Sequence, residues 1–216
     1  MTIEDNVKEA ILGWNEEQLK EICRSSIENS ETTPEALLKI IGNIMQFLGK
    51  EFEREEIFLP DLIGFASTVK AAIDDVLDPA IRAGGKQRKS LGRIVIGTVE
   101  SDIHSIGKDL VASFLFSNGF EVFNLGVDVP ASIFVEKAEE VNAQAIGLSS
   151  LLTMSMDFQK EVIKLLEEKG IRKKYKVIVG GSPTSEEWAE TIGADGWADD
   201  AIGAVLLLKK LMGIKK

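Results

Sequence analysis

The chain contains a single histidine, His104, and a carboxylate, Asp102, two places before it. On a loop, a carboxylate at that separation reaches one imidazole nitrogen, leaving the other as a base or a metal ligand. Gly107 comes next and, lacking a side chain, admits close approach where a helix would begin. A His–Asp pair at this spacing is also what a solvated loop or a local cap contains, so alone it assigns no chemistry. Two further segments are equally two-sided. Ser149-Ser150-Leu151-Leu152-Thr153-Met154-Ser155-Met156 strings hydroxyls along one stretch. They are either groups that bond a ligand or caps, by Thr153 or Ser155, for the next helix. Gly180-Gly181-Ser182-Pro183 is either a simple turn or bare backbone clearing room for a bulky ligand.

The elements around these segments decide whether they meet. Beyond residue 90, short apolar runs at 93–99, 121–125, 145–150, 176–181 and, briefly, 193–198 alternate with helical patterns. The helical patterns lie near 106–118, 130–142, 155–169, 184–192 and 199–212, with Pro130 at an expected first helical position. Strands joined by crossover helices predict an α/β fold with a doubly wound, parallel, five-stranded sheet of the Rossmann or flavodoxin kind. Such sheets bind ligands beyond the carboxyl ends of their strands, where the strand order reverses. The three segments come directly after the first, third and fourth strands.

Residues 1–82 carry no strand signal. Ile11, Leu12, Leu19, Ile22 and Ile27 recur at helical spacing. Thr33-Pro34 supplies a cap and a first residue for a helix ending near Gly49. A further helix is expected from Leu59-Pro60 to Arg82, completing an antiparallel bundle of about four. Ala83-Gly84-Gly85-Lys86-Gln87-Arg88-Lys89 reads as a linker and a place for a hinge. The expected domains are therefore 1–89, bundle and linker, and 90–216, the sheet.

A net charge of −10 opposes nucleic-acid binding, which needs a basic surface. No stretch approaches the roughly 20 apolar residues of a membrane span. The N-terminus lacks a basic-then-apolar signal, so a cytoplasmic protein is expected. Cys23 is the only cysteine, which excludes an internal disulfide and a thiolate metal cluster; its spacing places it in a helical core.

Asp102-x-His104-x-x-Gly107, Ser149-x-Leu151 and Gly180-Gly181, in that order and on those loops, resemble the signature of one family. These are cobalamin-binding domains that hold their cofactor with its nucleotide base displaced. The resemblance runs from about residue 5 to 212. It implies that His104 replaces the dimethylbenzimidazole as lower ligand of cobalt, a base-off, His-on state. The nucleotide tail would descend beside Ser149, Leu151 and Thr153, with room left by Gly180 and Gly181. Ile106 and Gly107 would adjoin the cofactor, and Ala201 would lie near the tail. Ser155 would complete a His–Asp–Ser relay, making Asp102, His104 and Ser155 the working residues. The helical half resembles the cap of methionine-synthase-type enzymes and of the small corrinoid proteins, with Phe52 and Leu59 at corrin-facing positions.

The resemblance implies a non-catalytic carrier. Its cobalt would take a methyl group from a donor on a substrate-specific methyltransferase. A second methyltransferase would pass it to tetrahydrofolate or coenzyme M, and a reductive activator protein would maintain the cobalt. His104 would leave the metal when the methyl group departs, helped by proton uptake at the His104–Asp102 pair. Each pH unit of such tuning is worth about 1.4 kcal/mol. The alternative is a cobalamin-dependent sensor. An adenosylcobalamin mutase subunit would lack the bundle, and a cofactor-free flavodoxin-like domain would carry the signature by chance. The methyl donor (methanol, methylamines, betaines or methoxylated aromatics) and the acceptor reside in partners.

Overall fold

The computed structural model describes residues 2–84 and 90–214, with the side chains of all but Glu53 and Leu59. The chain divides into two compact units, Met1–Lys89 and Ser90–Lys216.

The first unit is helical: α1 (Ile3–Leu12), α2 (Glu16–Glu28), α3 (Pro34–Glu53), α4 (Leu59–Ala72) and α5 (Asp78–Ala83). Polar caps set the starts. Thr2 and Asp5 exchange hydrogen bonds at the head of α1, and Asn15 and Thr33 accept from the third residues of α2 and α3. α4 passes into α5 through a π turn, Ile73–Leu77. Pro79 explains the interruption: without an N–H it cannot continue the α ladder, and the wider turn carries the chain past it. The expected fourth helix is thus present but broken, and α3 runs past Gly49 to Glu53. Val7, Ile11, Leu19, Cys23, Leu37, Leu62 and Leu77 are wholly or almost wholly buried. Burial pushes the Cys23 thiol up to about 11, as befits a core residue. Residues 85–89 of the expected linker lie outside the described residues.

The second unit is a five-stranded parallel sheet in the order β2-β1-β3-β4-β5: β1 Arg93–Thr98, β2 Glu121–Asn124, β3 Ala145–Ser149, β4 Lys176–Gly180 and β5 Gly196–Trp197. β1 and β3 are central and almost wholly buried, which is why they read as continuous apolar runs. Helices α6 (Ile106–Ser117), α7 (Ala131–Glu140), α8 (Met156–Glu168), α9 (Glu186–Ile192) and α10 (Ala201–Leu211) complete the fold. Phe134, Val135, Val162, Ile163 and Ala189, from α7, α8 and α9, pack in one cluster with Val95, Ile146 and Val177 of the sheet. α6 and α10 pack together and reach β1 and β4 respectively.

Three boundaries differ from expectation. β5 is two residues long, because Gly193 closes α9 in the left-handed region (φ +77°). Pro130 caps α7 in extended backbone (φ −61°, ψ 150°) instead of being its first helical residue. A short 3₁₀ turn, Thr153–Ser155, precedes α8. The chain order reverses between β1 and β3, so the loops after these two strands open beside each other.

Candidate functional site

Asp102 ends the turn after β1 and is fully buried, with 0% of its surface exposed. A buried carboxylate needs partners, and it has five. Its Oδ1 accepts from the backbone N–H of His104 at 3.0 Å and from His104 Nδ1 at 2.7 Å. Its Oδ2 accepts from the N–H groups of Leu151 (2.6 Å) and Leu152 (3.3 Å) and from Ser155 Oγ (3.0 Å). Burial raises its pKa, but the bonds from His104, Leu151 and Ser155 together outweigh this and hold the carboxyl down at about 2. An ionised carboxylate only accepts, so Nδ1 carries the proton. Nε2 has no hydrogen-bond partner among the described residues, and in the neutral ring its lone pair is available.

The relay extends one residue further. Ser150 is buried, and its Oγ lies 2.8 Å from Ser155 Oγ. Ser155 Oγ donates to Asp102, and Leu152 O already takes the Ser155 N–H at 3.0 Å. With the Ser155 hydroxyl proton given to Asp102, Ser150 Oγ can donate either to Ser155 Oγ or to Leu152 O at 3.1 Å. Ser155 heads α8 without capping it through its side chain; its hydroxyl is turned to Asp102 instead.

His104 lines a cavity of about 680 Å³, a size ordinary for a cofactor or ligand site. The cavity lies at the ends of β1, β3 and β4 and the starts of α6 and α10, and all its lining residues belong to the second unit. Ile96, Leu110, Val111, Ile178 and Ala204 make part of its wall apolar. Ile103 and Ile106 also line it and are 75% and 66% exposed, offering apolar surface at its mouth.

Ile106, Gly107, Ser149, Leu151, Gly180, Gly181 and Ala201 all border the same cavity. Thr153 does not; it sits exposed on the 3₁₀ turn. Phe52 lies half-buried in α3, and Leu59 begins α4, its side chain outside the described set. The glycines divide by cause. A side chain on Gly107 would meet nothing within 4 Å, so its bareness leaves the cavity open. Gly181 is in the left-handed region (φ +116°), and a Cβ there would fall 1.8 Å from Ser150 O. The protein's own Ser150 loop fills the room that Gly181 leaves. For Gly180 the nearest atom is Ala198 O at 3.1 Å.

Two neighbours of the histidine were not foreseen. Thr98, fully buried at the end of β1, donates its Oγ1–H to His104 O at 2.8 Å. Its position as a hydroxyl closing an apolar strand was the available signal. Ser150 stood in the hydroxyl run, but its contact with Ser155, five residues on, could not be read from it. Lys108 borders the cavity as a buried cation held by Asp109 and by Asn124 Oδ1 at 2.7 Å.

Two family models, both described as a B12 binding domain, match residues 3–76 and 92–206. A corrinoid protein of Desulfitobacterium hafniense (strain Y51) is 41% identical over 214 residues, 99% of either chain. A dimethylamine corrinoid protein of Methanosarcina acetivorans is 48% identical over 168 residues, 78% of this chain and 77% of the relative. A crystal structure of a cobalamin-binding protein from Desulfitobacterium hafniense DCB-2 is 31% identical with a TM-score of 0.66, covering 97% of this chain and 98% of that one. With both family models matched and a relative aligned from end to end, this chain belongs to the corrinoid proteins with B12-binding domains.

Proposed function

We propose that this chain is a methyl-carrying corrinoid subunit that binds cobalamin base-off, with His104 as the lower ligand of cobalt. The observation that carries the reading is the state of His104. Its Nδ1 is tied to a buried, ionised Asp102, and its unpartnered Nε2 belongs to a residue on the wall of a largely apolar cavity. The donor set and cavity fit a corrinoid: one imidazole for the metal, exposed Ile103 and Ile106 for an apolar ring, and a recess along Ile96, Gly147 and Ile178 for a tail. When bound, the corrinoid supplies a cobalt that accepts and releases a methyl group.

The chain's own residues do the rest. Asp102 keeps the proton on Nδ1 and orients the ring. Ser155, backed by Ser150, and the Leu151 N–H keep Asp102 ionised. Nε2 of His104 would hold the metal while Nδ1 stays bonded to Asp102. Ser149, Leu151, Gly180 and Ala201 border the recess proposed for the nucleotide tail. The relatives named as dimethylamine corrinoid proteins support a partner methyltransferase acting on a methylated substrate. A second methyltransferase and a reductive activator complete the proposed system. The helical unit, matched by its own B12-binding model over residues 3–76, is proposed as the cap, with Phe52 and Leu59 facing the corrin. Among the described residues no helix is long and apolar enough to cross a membrane; a cytoplasmic location is proposed with the rest.

The test is an absorption spectrum of the purified chain reconstituted with hydroxocobalamin, beside His104→Ala. Retained corrinoid whose spectrum changes in the variant is expected. A parent chain that retains no corrinoid would remove the carrier reading.

A further inference from the structure

The turn that leads into His104 is held from outside by one side chain. Ser101 stands in the left-handed region (φ +65°), uncommon for a residue with a side chain. Its N–H donates to Asp128 Oδ1 at 2.8 Å. Asp128, from the loop between β2 and α7, is itself left-handed (φ +54°), and its own N–H donates to Asp102 O at 2.9 Å. Side chain and backbone of Asp128 thus clip two successive residues of the turn from one point. The next residue, Val129, bridges to Val99 and donates to Thr98 O, so the clip sits on a rung of the sheet. Two strained positions facing each other persist only where surrounding bonds hold them. No bond from within β1 or α6 substitutes for the acceptor that Asp128 gives Ser101 among the described residues.

We infer that Asp128 is a positioning residue for the cobalt ligand: it holds the two peptides on either side of the Ser101–Asp102 link and, through buried Asp102, the seat of the His104 ring. The inference rests on the ligand role proposed above for His104 and goes beyond it. None of the three sequence segments first singled out contains Asp128, which acts across 27 residues of chain.

Three substitutions separate the clip from backbone strain. Asp128→Gly relieves the left-handed position but removes the acceptor; Asp128→Ala removes the acceptor and keeps the strain; Asp128→Asn keeps both the acceptor and tolerance of that conformation. With hydroxocobalamin, Asp128→Gly and Asp128→Ala should bind on the order of tenfold more weakly, the scale of one lost hydrogen bond to a charged group. Their spectra should move toward that of His104→Ala, while Asp128→Asn stays within about twofold of the parent. In the cofactor-free protein, the ¹⁵N imidazole signals of His104 are unambiguous because it is the only histidine. They should broaden or shift in the Gly and Ala variants and match the parent in the Asn variant. Parent-like behaviour of Asp128→Gly, or an Asn variant as impaired as the Gly variant, overturns the inference. If the parent retains no corrinoid, the ligand reading fails, and the cofactor-free signals still decide whether Asp128 seats the ring.

Discussion

Asp102 is the residue on which the site turns, because it is buried, ionised and used by three different segments of chain. Its replacement by Asn removes the charge and sets an amide N–H against one of two donor groups, those of His104 or those of Leu151, Leu152 and Ser155. Leaving such groups unpaired costs about 1–3 kcal/mol. The pH dependence follows from its depressed pKa. The folded value, about 2, lies below the ordinary 3.8, so Asp102 stabilises the fold fully above about pH 5 and loses that contribution as pH falls through 2. A shift of this size is worth on the order of 2 kcal/mol. Acid denaturation of the sheet unit, followed by circular dichroism, should be less steep over this range in Asp102→Asn. Equal slopes would show that Asp102 is not held ionised. Gly181→Ala should destabilise the sheet unit by about 1–3 kcal/mol in urea, since a left-handed backbone is strained by any side chain and Ser150 O occupies the space. An unchanged midpoint would mean that the Ser150 loop yields readily.

At the scale of elements, the ends of β3 and β4 are held in place by α8. Gln159 is fully buried; its Nε2 donates to Leu148 O (3.0 Å) and Gly180 O (3.3 Å), and its Oε1 accepts from Trp188 Nε1 (2.8 Å). Gln159→Leu keeps the volume but strands the indole N–H and two carbonyls' partner. A loss of about 2–3 kcal/mol is expected, with amide exchange quickened first at Ser150 and Gly181. Exchange quickened uniformly over the sheet would indicate that the amide supports the unit generally and not these loops. In the helical unit, Thr33→Ala removes the cap of α3, whose Oγ1 accepts from Ala36 N–H at 3.2 Å. That costs about 1 kcal/mol, read as a lowered urea midpoint.

For the whole molecule, the binding of cobalamin must appear as stability. A ligand that binds only the folded chain stabilises it by about 2.7 kcal/mol at a hundredfold excess over its dissociation constant. Thermal unfolding with hydroxocobalamin should therefore show a raised midpoint for the sheet unit, and a smaller rise in His104→Ala. Identical rises would mean that the corrinoid is held without the histidine. The acidic surface, with a net charge of −10, disfavours nucleic acid and other polyanions as partners.

Much of this protein was legible from the order of its residues. Short, nearly continuous apolar runs located β1, β3 and β4, because strands buried on both faces demand them. The helical half announced itself through Thr33-Pro34 and the spacing of its apolar positions. The pair Asp102–His104, two residues apart, is local in the chain and was visible there. What tertiary structure alone decided is non-local. Ser155 lies 53 residues from Asp102 and forgoes capping α8 to bond it, a choice that propensity cannot foresee. Ser150 is five residues from Ser155 and reaches Asp102 only through it, where β3 ends beside β1. Gly181, readable as clearance for a ligand, is required by the backbone of Ser150. Sequence carries the chemistry of groups near in the chain; the strand order, which sets β1 against β3, brings the distant ones within hydrogen-bond reach.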